Sequence, residues 1–348
     1  MGSVYSSLPS LTYWKGQLTV MEKVKVGCVG TGGMANSHLS KLVTLENAEI
    51  VALCDISEER VSSAVATYGG VAYTNAKKMI NEADLDAVYF CLPPFAHSEI
   101  EKVAAENGLH IFVEKPVAMD LDHGLSVVEA TNKSGVISGV GYQGRYQNAE
   151  NALKEFLTDK TIGMIACHRW GGIAGGPEHW WRVMAKSGGM LHEQATHQID
   201  MIRYLAGEIT EVYKIDSMRV NIDQENNTIP DAEVVTLQFE NGAVGYITTT
   251  SALVRGGGSM RTDFILEDHI VLQLGWGNFT IVPEGVITVD VPDTPQVSVD
   301  EAFISAIQAN DQSIVKSSYA DGLRSALVSI CANQSAIEGK PIQIPTVP

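Results

Sequence analysis

The sequence predicts an α/β protein in two parts: an N-terminal doubly wound parallel sheet, then an α/β domain with an open, mainly antiparallel sheet. Three observations carry this. The apolar run 24–29 ends in Gly30-Thr31-Gly32-Gly33-Met34-Ala35, a strand-to-helix turn that tolerates almost no side chain. From there to about Gln147, short apolar strands alternate with helical stretches. Beyond that point strand follows strand, with few helices between them.

The glycine turn is shaped for a pyrophosphate. Gly30 allows the tight bend, Gly32 lets the backbone approach a ligand, and Ala35 takes the small-residue place where helix packs on strand, so that phosphate faces the helix N-terminus. A second apolar run, 50–54, ends in Asp55, near the roughly 20-residue offset of the acid that binds the adenosine ribose. A carboxylate there accepts the ribose hydroxyls and repels a phosphate. Neither Ile56 nor Ser57 supplies a cation to receive one, and the nearest is Arg60. NAD is therefore expected rather than NADP.

Ser57 is a good N-cap, with Glu58 and Glu59 in the positive first turn, so a helix is expected over 58–68, closed by Gly69-Gly70. Helices at 76–82, 96–107 and 121–133 then alternate with strands at 87–92, 110–113 and 136–140. Ligands of such sheets lie beyond the C-terminal strand ends. That rule gathers Leu92-Pro93-Pro94, His97, Glu114-Lys115-Pro116 and residues 142–146 around one cleft.

A helix at 149–157 opens the second part. Strands are expected at 164–170, 212–220, 233–239, 244–251 and 262–266, with Asn241-Gly242 as a hairpin turn. One long helix, 194–205, interrupts the series, and helices at 302–309 and 319–338 bring the chain to its end. The expected division is an extension over 1–20, a dinucleotide-binding domain over 21–147, and a substrate-binding and oligomerisation domain over 148–348.

Composition narrows the function. At 348 residues the chain has room for about two domains of roughly 150 residues, and 45% hydrophobic content is ample for buried cores. The 24 basic and 41 acidic residues give a formal charge of −17, which repels a phosphate backbone and excludes nucleic acid as the expected partner. Five scattered cysteines without a C-x-x-C pairing suit small core residues in a reducing compartment. No run approaches the roughly 18 apolar residues of a membrane span, and the first twenty residues lack a signal-peptide pattern, so a cytoplasmic location is expected.

Lys115 lies at a strand end beside the expected nicotinamide, where an ammonium can polarise a substrate hydroxyl. In segment 188–200, helical spacing puts Glu193, His197 and Asp200 near one face: an acid, a base and a support. His197 is the natural proton acceptor, since imidazole titrates close to neutral pH and alcohol oxidation must release a proton. A zinc H-E-x-x-H site needs histidines four apart, whereas His192 and His197 are five apart and diverge by roughly 140°, so no metal is expected. Trp180, Trp181 and Arg182, between two glycine pairs, suit the faces and hydroxyls of a sugar, or packing between domains. Arg145 and Tyr146 have the same two readings, substrate contact or interdomain pairing.

GTGGMA, the acid in CDIS, the EKP tripeptide, GYQGRY and GGMLHEQATHQID together resemble the Gfo/Idh/MocA family of nicotinamide-dependent oxidoreductases over nearly all of residues 22–345. The stretch from Tyr319 to Gly339 fits the family's usual ending. The resemblance implies a Rossmann domain, then an α/β domain whose open sheet commonly forms homodimers or homotetramers, and oxidation or reduction of a secondary alcohol on a sugar, cyclitol or related polyol. It makes Lys115 the EKP lysine and His197 the histidine of an acid-x-x-x-histidine motif. That acid is commonly Asp; Glu193, one methylene longer, shifts any hydroxyl contact by about 1 Å. The implied mechanism has Lys115 and His197 gripping one hydroxyl, His197 taking its proton, and Glu193 orienting His197 or a neighbouring hydroxyl. Two alternatives stand beside it: a glycoside-processing enzyme that oxidises and re-reduces its substrate around an elimination, and a non-catalytic sensor of sugar or NAD.

Overall fold

Strand β1 (Val24–Val29) is buried along almost its whole length, as a central parallel strand covered on both faces must be. The computed structural model describes residues 23–273, 275, 277–283 and 289–348; the extension expected over 1–20 lies outside them. After β1 come α1 (Gly33–Leu42), β2 (Ala48–Cys54), α2 (Glu58–Tyr68), β3 (Val71–Tyr73), α3 (Ala76–Glu82), β4 (Ala87–Phe90), α4 (Glu99–Glu106), β5 (His110–Val113), α5 (Leu121–Ser134) and β6 (Ser138–Val140). The strands form one six-stranded sheet in the order β3-β2-β1-β4-β5-β6, with every neighbouring pair parallel. This is the doubly wound order in which a dinucleotide crosses the C-terminal edge at β1. The helix expected over 96–107 begins only at Glu99, because Pro94–Ala96 forms a separate 3₁₀ turn.

The chain continues through α6 (Asn148–Leu157), β7 (Ile162–Trp170), α7 (Met184–Ser187), α8 (Gly189–Glu193), α9 (Thr196–Ala206), β8 (Ile209–Ser217), β9 (Ala232–Phe239), β10 (Val244–Thr250), β11 (Ser259–Leu266), β12 (Ile270–Gln273), β13 (Phe279–Val282), α10 (Val299–Ala309), α11 (Tyr319–Glu338) and β14 (Ile342–Gln343). Its eight strands make a second sheet, antiparallel except where β7 pairs parallel with β10. Alternation sends Ile165 and Cys167 of β7 inward onto Leu153, Ile199, Ile202 and Val328 of the helices. Met164 and Trp170 of the same strand are exposed on the outer face, with Val234, Val244 and Tyr246.

Two late helices return to the first sheet. Phe303 of α10 packs with Val26, Cys28 and Leu39, and Leu323 and Leu327 of α11 join the core of β4 and β5 while Val328 and Cys331 join that of the second sheet. The fit is tight: a Cβ on Gly124 would lie 2.3 Å from Leu323. No described helix is long and apolar enough to cross a membrane.

The helix expected over 194–205 is α9, which starts two residues later, at Thr196; a separate short helix, α8, precedes it, and the two are broken at Gln194-Ala195, where the Ala195 N–H reaches back five residues to the Met190 carbonyl. Glu193 and His197 therefore sit on different helices, and the four-residue spacing between them is not that of one continuous face.

Candidate active site

The glycine turn is built as its spacing predicts. Gly30 has φ +87°, and a Cβ there would stand 2.4 Å from the Cys91 carbonyl oxygen, so no other residue fits without moving β4's exit. Above Gly32 and Gly33 a Cβ would meet nothing within 4 Å. Helix α1 starts there with no side chain capping its N–H groups, which leaves donors and space for an anion. Asp55 spans the turn: Oδ2 accepts from the Thr31 N–H at 2.9 Å and hydroxyl at 3.0 Å, and Oδ1 from Ser57 N–H and Arg60. Burial alone would raise its pKa, but these N–H and hydroxyl donors and the Arg60 charge hold it below the usual carboxylate range. An open glycine cradle with an ionised carboxylate at the next strand end fits a dinucleotide.

Of the other expected cofactor residues, Ile56 is exposed at the rim and Leu92 packs against the turn at Gly30. Pro93 caps the 3₁₀ turn that Pro94 begins. His97 is turned inward, its Nδ1 2.7 Å from Glu101 at the start of α4. Met34 and Glu114 line a 320 Å³ cavity together with His38, Gln143, Tyr146 and Asp300. His38, which the sequence reading passed over, lies on the buried side of α1 with Nε2 2.9 Å from Glu114 and Nδ1 2.8 Å from Asp300. Burial lowers its pKa, but the hydrogen bonds and charges of Asp300 and Glu114 outweigh this and raise it to about 10, so it stands as an imidazolium between two carboxylates.

Lys115 projects from the end of β5, and its Nζ crosses to the second half of the molecule, donating to the Glu193 carbonyl at 3.1 Å and Oε1 at 3.5 Å. Glu193 therefore grips Lys115. Its Oε2 accepts from the Gln194 side chain. His197, at the start of α9, has its ring edge-on to Tyr142 at 6.0 Å. Its pKa is held well below 6.5 by burial and by the charges of Lys115 and Arg169. Both causes act against the near-neutral titration expected for it and favour the neutral ring.

A 220 Å³ pocket opens beside Glu193, lined also by Arg169, Gly171, Gly172, Trp181, Met190, Gln194 and Ser251. Trp181 lines it, with its indole N–H buried and without a partner among the described residues. Trp180 instead packs edge-on against Phe95. Two arginines leave the expected substrate set. Arg145 is buried, with its fork on Asp200 at 2.7 and 2.8 Å and its remaining nitrogen on Asp321 and the Lys316 carbonyl. Arg182 is spent on the Gly175 and Glu225 carbonyls, holding the 175–182 loop closed. The Tyr146 hydroxyl accepts the Lys316 N–H, so its phenol too is engaged. Asp200, expected as the support of His197, is committed to Arg145 and Ser325. Arg169 was missed; the available signal was a cation on the inward phase of a strand, in register with Ile165 and Cys167.

Comparison with known proteins agrees with this architecture. Residues 24–142 match the family model described as oxidoreductase family, NAD-binding Rossmann fold, and residues 151–267 match the GFO/IDH/MocA C-terminal domain. A myo-inositol 2-dehydrogenase of Thermotoga maritima is 30% identical over 67% of this chain and 70% of its own length. A glucose-6-phosphate 3-dehydrogenase of Bacillus subtilis is 27% identical over 61% of each chain. Among solved structures, the WlbA dehydrogenase of Bordetella pertussis in complex with NADH and UDP-GlcNAcA superimposes with a TM-score of 0.80 at 20% identity, over 93% of this chain and 99% of that one. Levoglucosan dehydrogenase with NADH and levoglucosan gives 0.79 at 20% identity, over 93% and 100%. At such identity the two structures speak for the fold.

Proposed function

Because the chain belongs to the Gfo/Idh/MocA family of NAD-binding oxidoreductases, we propose that it is a dehydrogenase acting on a secondary alcohol of a sugar, glycoside or cyclitol. The observation that carries this is the crossing of Lys115 from the end of β5 to Glu193 of α8, which lines the pocket, with His197 close enough for the lysine's charge to help depress its pKa. Gly30, Gly32, Gly33 and Asp55 are the residues that would hold NAD, and bound there it supplies the acceptor for the carbinol hydride.

Lys115 donates to the substrate hydroxyl oxygen and stabilises the negative charge that grows on it. His197, neutral in the pocket, accepts the hydroxyl proton at a ring nitrogen. Glu193 holds the ammonium in place and loosens its grip as the substrate oxygen takes over one donor. Trp181 supplies an aromatic wall to the pocket. The relatives reported above are dehydrogenases, which lends no support to a sensor or to an oxidation–elimination glycosidase. The outer sheet face, with Met164, Trp170, Val234, Val244 and Tyr246 exposed, supports a homodimer or homotetramer, which sedimentation would resolve.

The test is a panel of sugars, inositols and glycosides incubated with the protein and NAD, following NADH formation. Net NADH from at least one polyol supports the reading. Glycoside cleavage with NAD retained and no net NADH would replace it by the elimination mechanism.

A further inference from the structure

Arg169 is the cation of the pocket that has no acid. Its neighbours in phase on β7, Ile165 and Cys167, are core residues, so the strand directs this guanidinium inward, and it lines the 220 Å³ cavity beside Glu193 and Trp181. A guanidinium carries five N–H donors. Among the described residues Arg169 makes one hydrogen bond, from Nη2 to the Gln194 Oε1 at 3.5 Å, the outer limit of such a contact, and no carboxylate lies within ion-pairing distance. The contrast with Arg145 and Arg203 is sharp, since both are saturated by carboxylates and carbonyls.

The charges around the cavity point the same way. Lys115 and Arg169 are cationic, and the one carboxylate lining the pocket, Glu193, is already engaged by Lys115 and by the Gln194 amide. Gln194 turns its acceptor end to Arg169, because its donor end is on Glu193. Beside the guanidinium, Gly171 presents no side chain, and the nearest of the Arg169 nitrogens would be 3.9 Å from a Cβ there. A planar anion has access there. The volume falls below the roughly 300–1,000 Å³ of pockets for drug-sized ligands, which suits one monosaccharide unit.

We propose that the substrate carries a carboxylate, that Arg169 binds it through the guanidinium fork, and that the substrate class is therefore a sugar acid of one monosaccharide unit. The inference rests on the dehydrogenase reading above and adds the recognition element. It also gives His197 a way to gain basicity: a carboxylate on Arg169 neutralises one of the two cations that hold the imidazole's pKa down, so the proton acceptor strengthens when the right substrate is seated.

The test compares each of several hexuronates (gluco, galacto, manno) with its uronamide, which has nearly the same shape and no charge. For the wild type, kcat/KM for the best uronate should exceed that for its amide by roughly 10- to 100-fold, the range expected of a charge-assisted hydrogen-bonded pair. Arg169→Gln should bring that ratio close to one, and Arg169→Lys, which keeps the charge without the fork, should leave it between the two. The lysine variant decides if the glutamine variant does not fold. Equal use of acid and amide by the wild type, or a ratio unchanged in the variants, overturns the carboxylate while leaving the dehydrogenase intact. Failure of every acid, amide, neutral sugar and inositol to reduce NAD overturns both.

Discussion

Replacing His38 by Asn probes the support beneath Lys115. The imidazolium sits between Asp300 of α10 and Glu114, the residue just before Lys115, and its pKa is raised from 6.5 to about 10. A histidine whose folded pKa lies above its unfolded value adds stability that is fully present below pH 6.5 and is lost as pH rises through its folded pKa. Within that window each pH unit removes up to about 1.4 kcal/mol, so the step from about pH 7 to about pH 8.5 costs on the order of 2 kcal/mol. Urea unfolding of wild type and His38→Asn at both pH values compares the pH dependence with and without the imidazolium, since groups remote from position 38 cancel in the difference. The wild type should lose about 2 kcal/mol more than the variant over the interval. Imidazole NMR should find His38 still protonated at about pH 8. Parallel pH profiles, or a ring titrating near its ordinary value, would refute the imidazolium clamp.

Four further variants test the geometry. Gly30→Ala should destabilise the fold by about 1–3 kcal/mol because it forces a Cβ onto the Cys91 carbonyl at positive φ. Gly32→Ala, with open space around it, should leave stability within about 0.5 kcal/mol and weaken NAD binding by calorimetry; the reverse ranking would contradict the cradle. Asp55→Ala should weaken NAD binding about 10- to 100-fold and NADP binding far less, and a larger loss for NADP would show that Arg60 governs the pocket. Arg145→Ala leaves Asp200 with the Ser325 hydroxyl and Asp321 with Arg203, and should cost about 3–5 kcal/mol in denaturant unfolding, while a raised KM with stability intact would return Arg145 to the substrate set.

The sequence made the first sheet legible because each of its parts has a local cause: glycine where φ must be positive, an acid closing β2, apolar runs too short for helices. The helix 58–68 and the strand 110–113 match the structure residue for residue. The second half was legible where alternation or a turn pair marked it, as at Asn241-Gly242. β12, β13 and β14 are short and weakly patterned, and went unread. The break between α8 and α9 leaves no local sign, since Gln194 and Ala195 are good helix formers; the surrounding tertiary contacts override propensity. The site shows the same division. Lys115, His197 and Glu193 stand out in the sequence by type and place, but partners of Arg145, Arg182 and Glu114 lie more than 40 residues away, and no spacing rule reaches them. His38 and Arg169 did carry a signal: each is a charge-bearing residue on the apolar phase of its element.

The central claim is that an ammonium from one half of the chain and an imidazole from the other act on the same hydroxyl. Single-turnover NAD reduction by wild type, Lys115→Ala and His197→Ala, on a substrate found in the panel and with NAD affinity measured alongside, tests it most directly. Each variant should be slowed by about 100-fold or more while still binding NAD. Unchanged turnover in both would contradict the account.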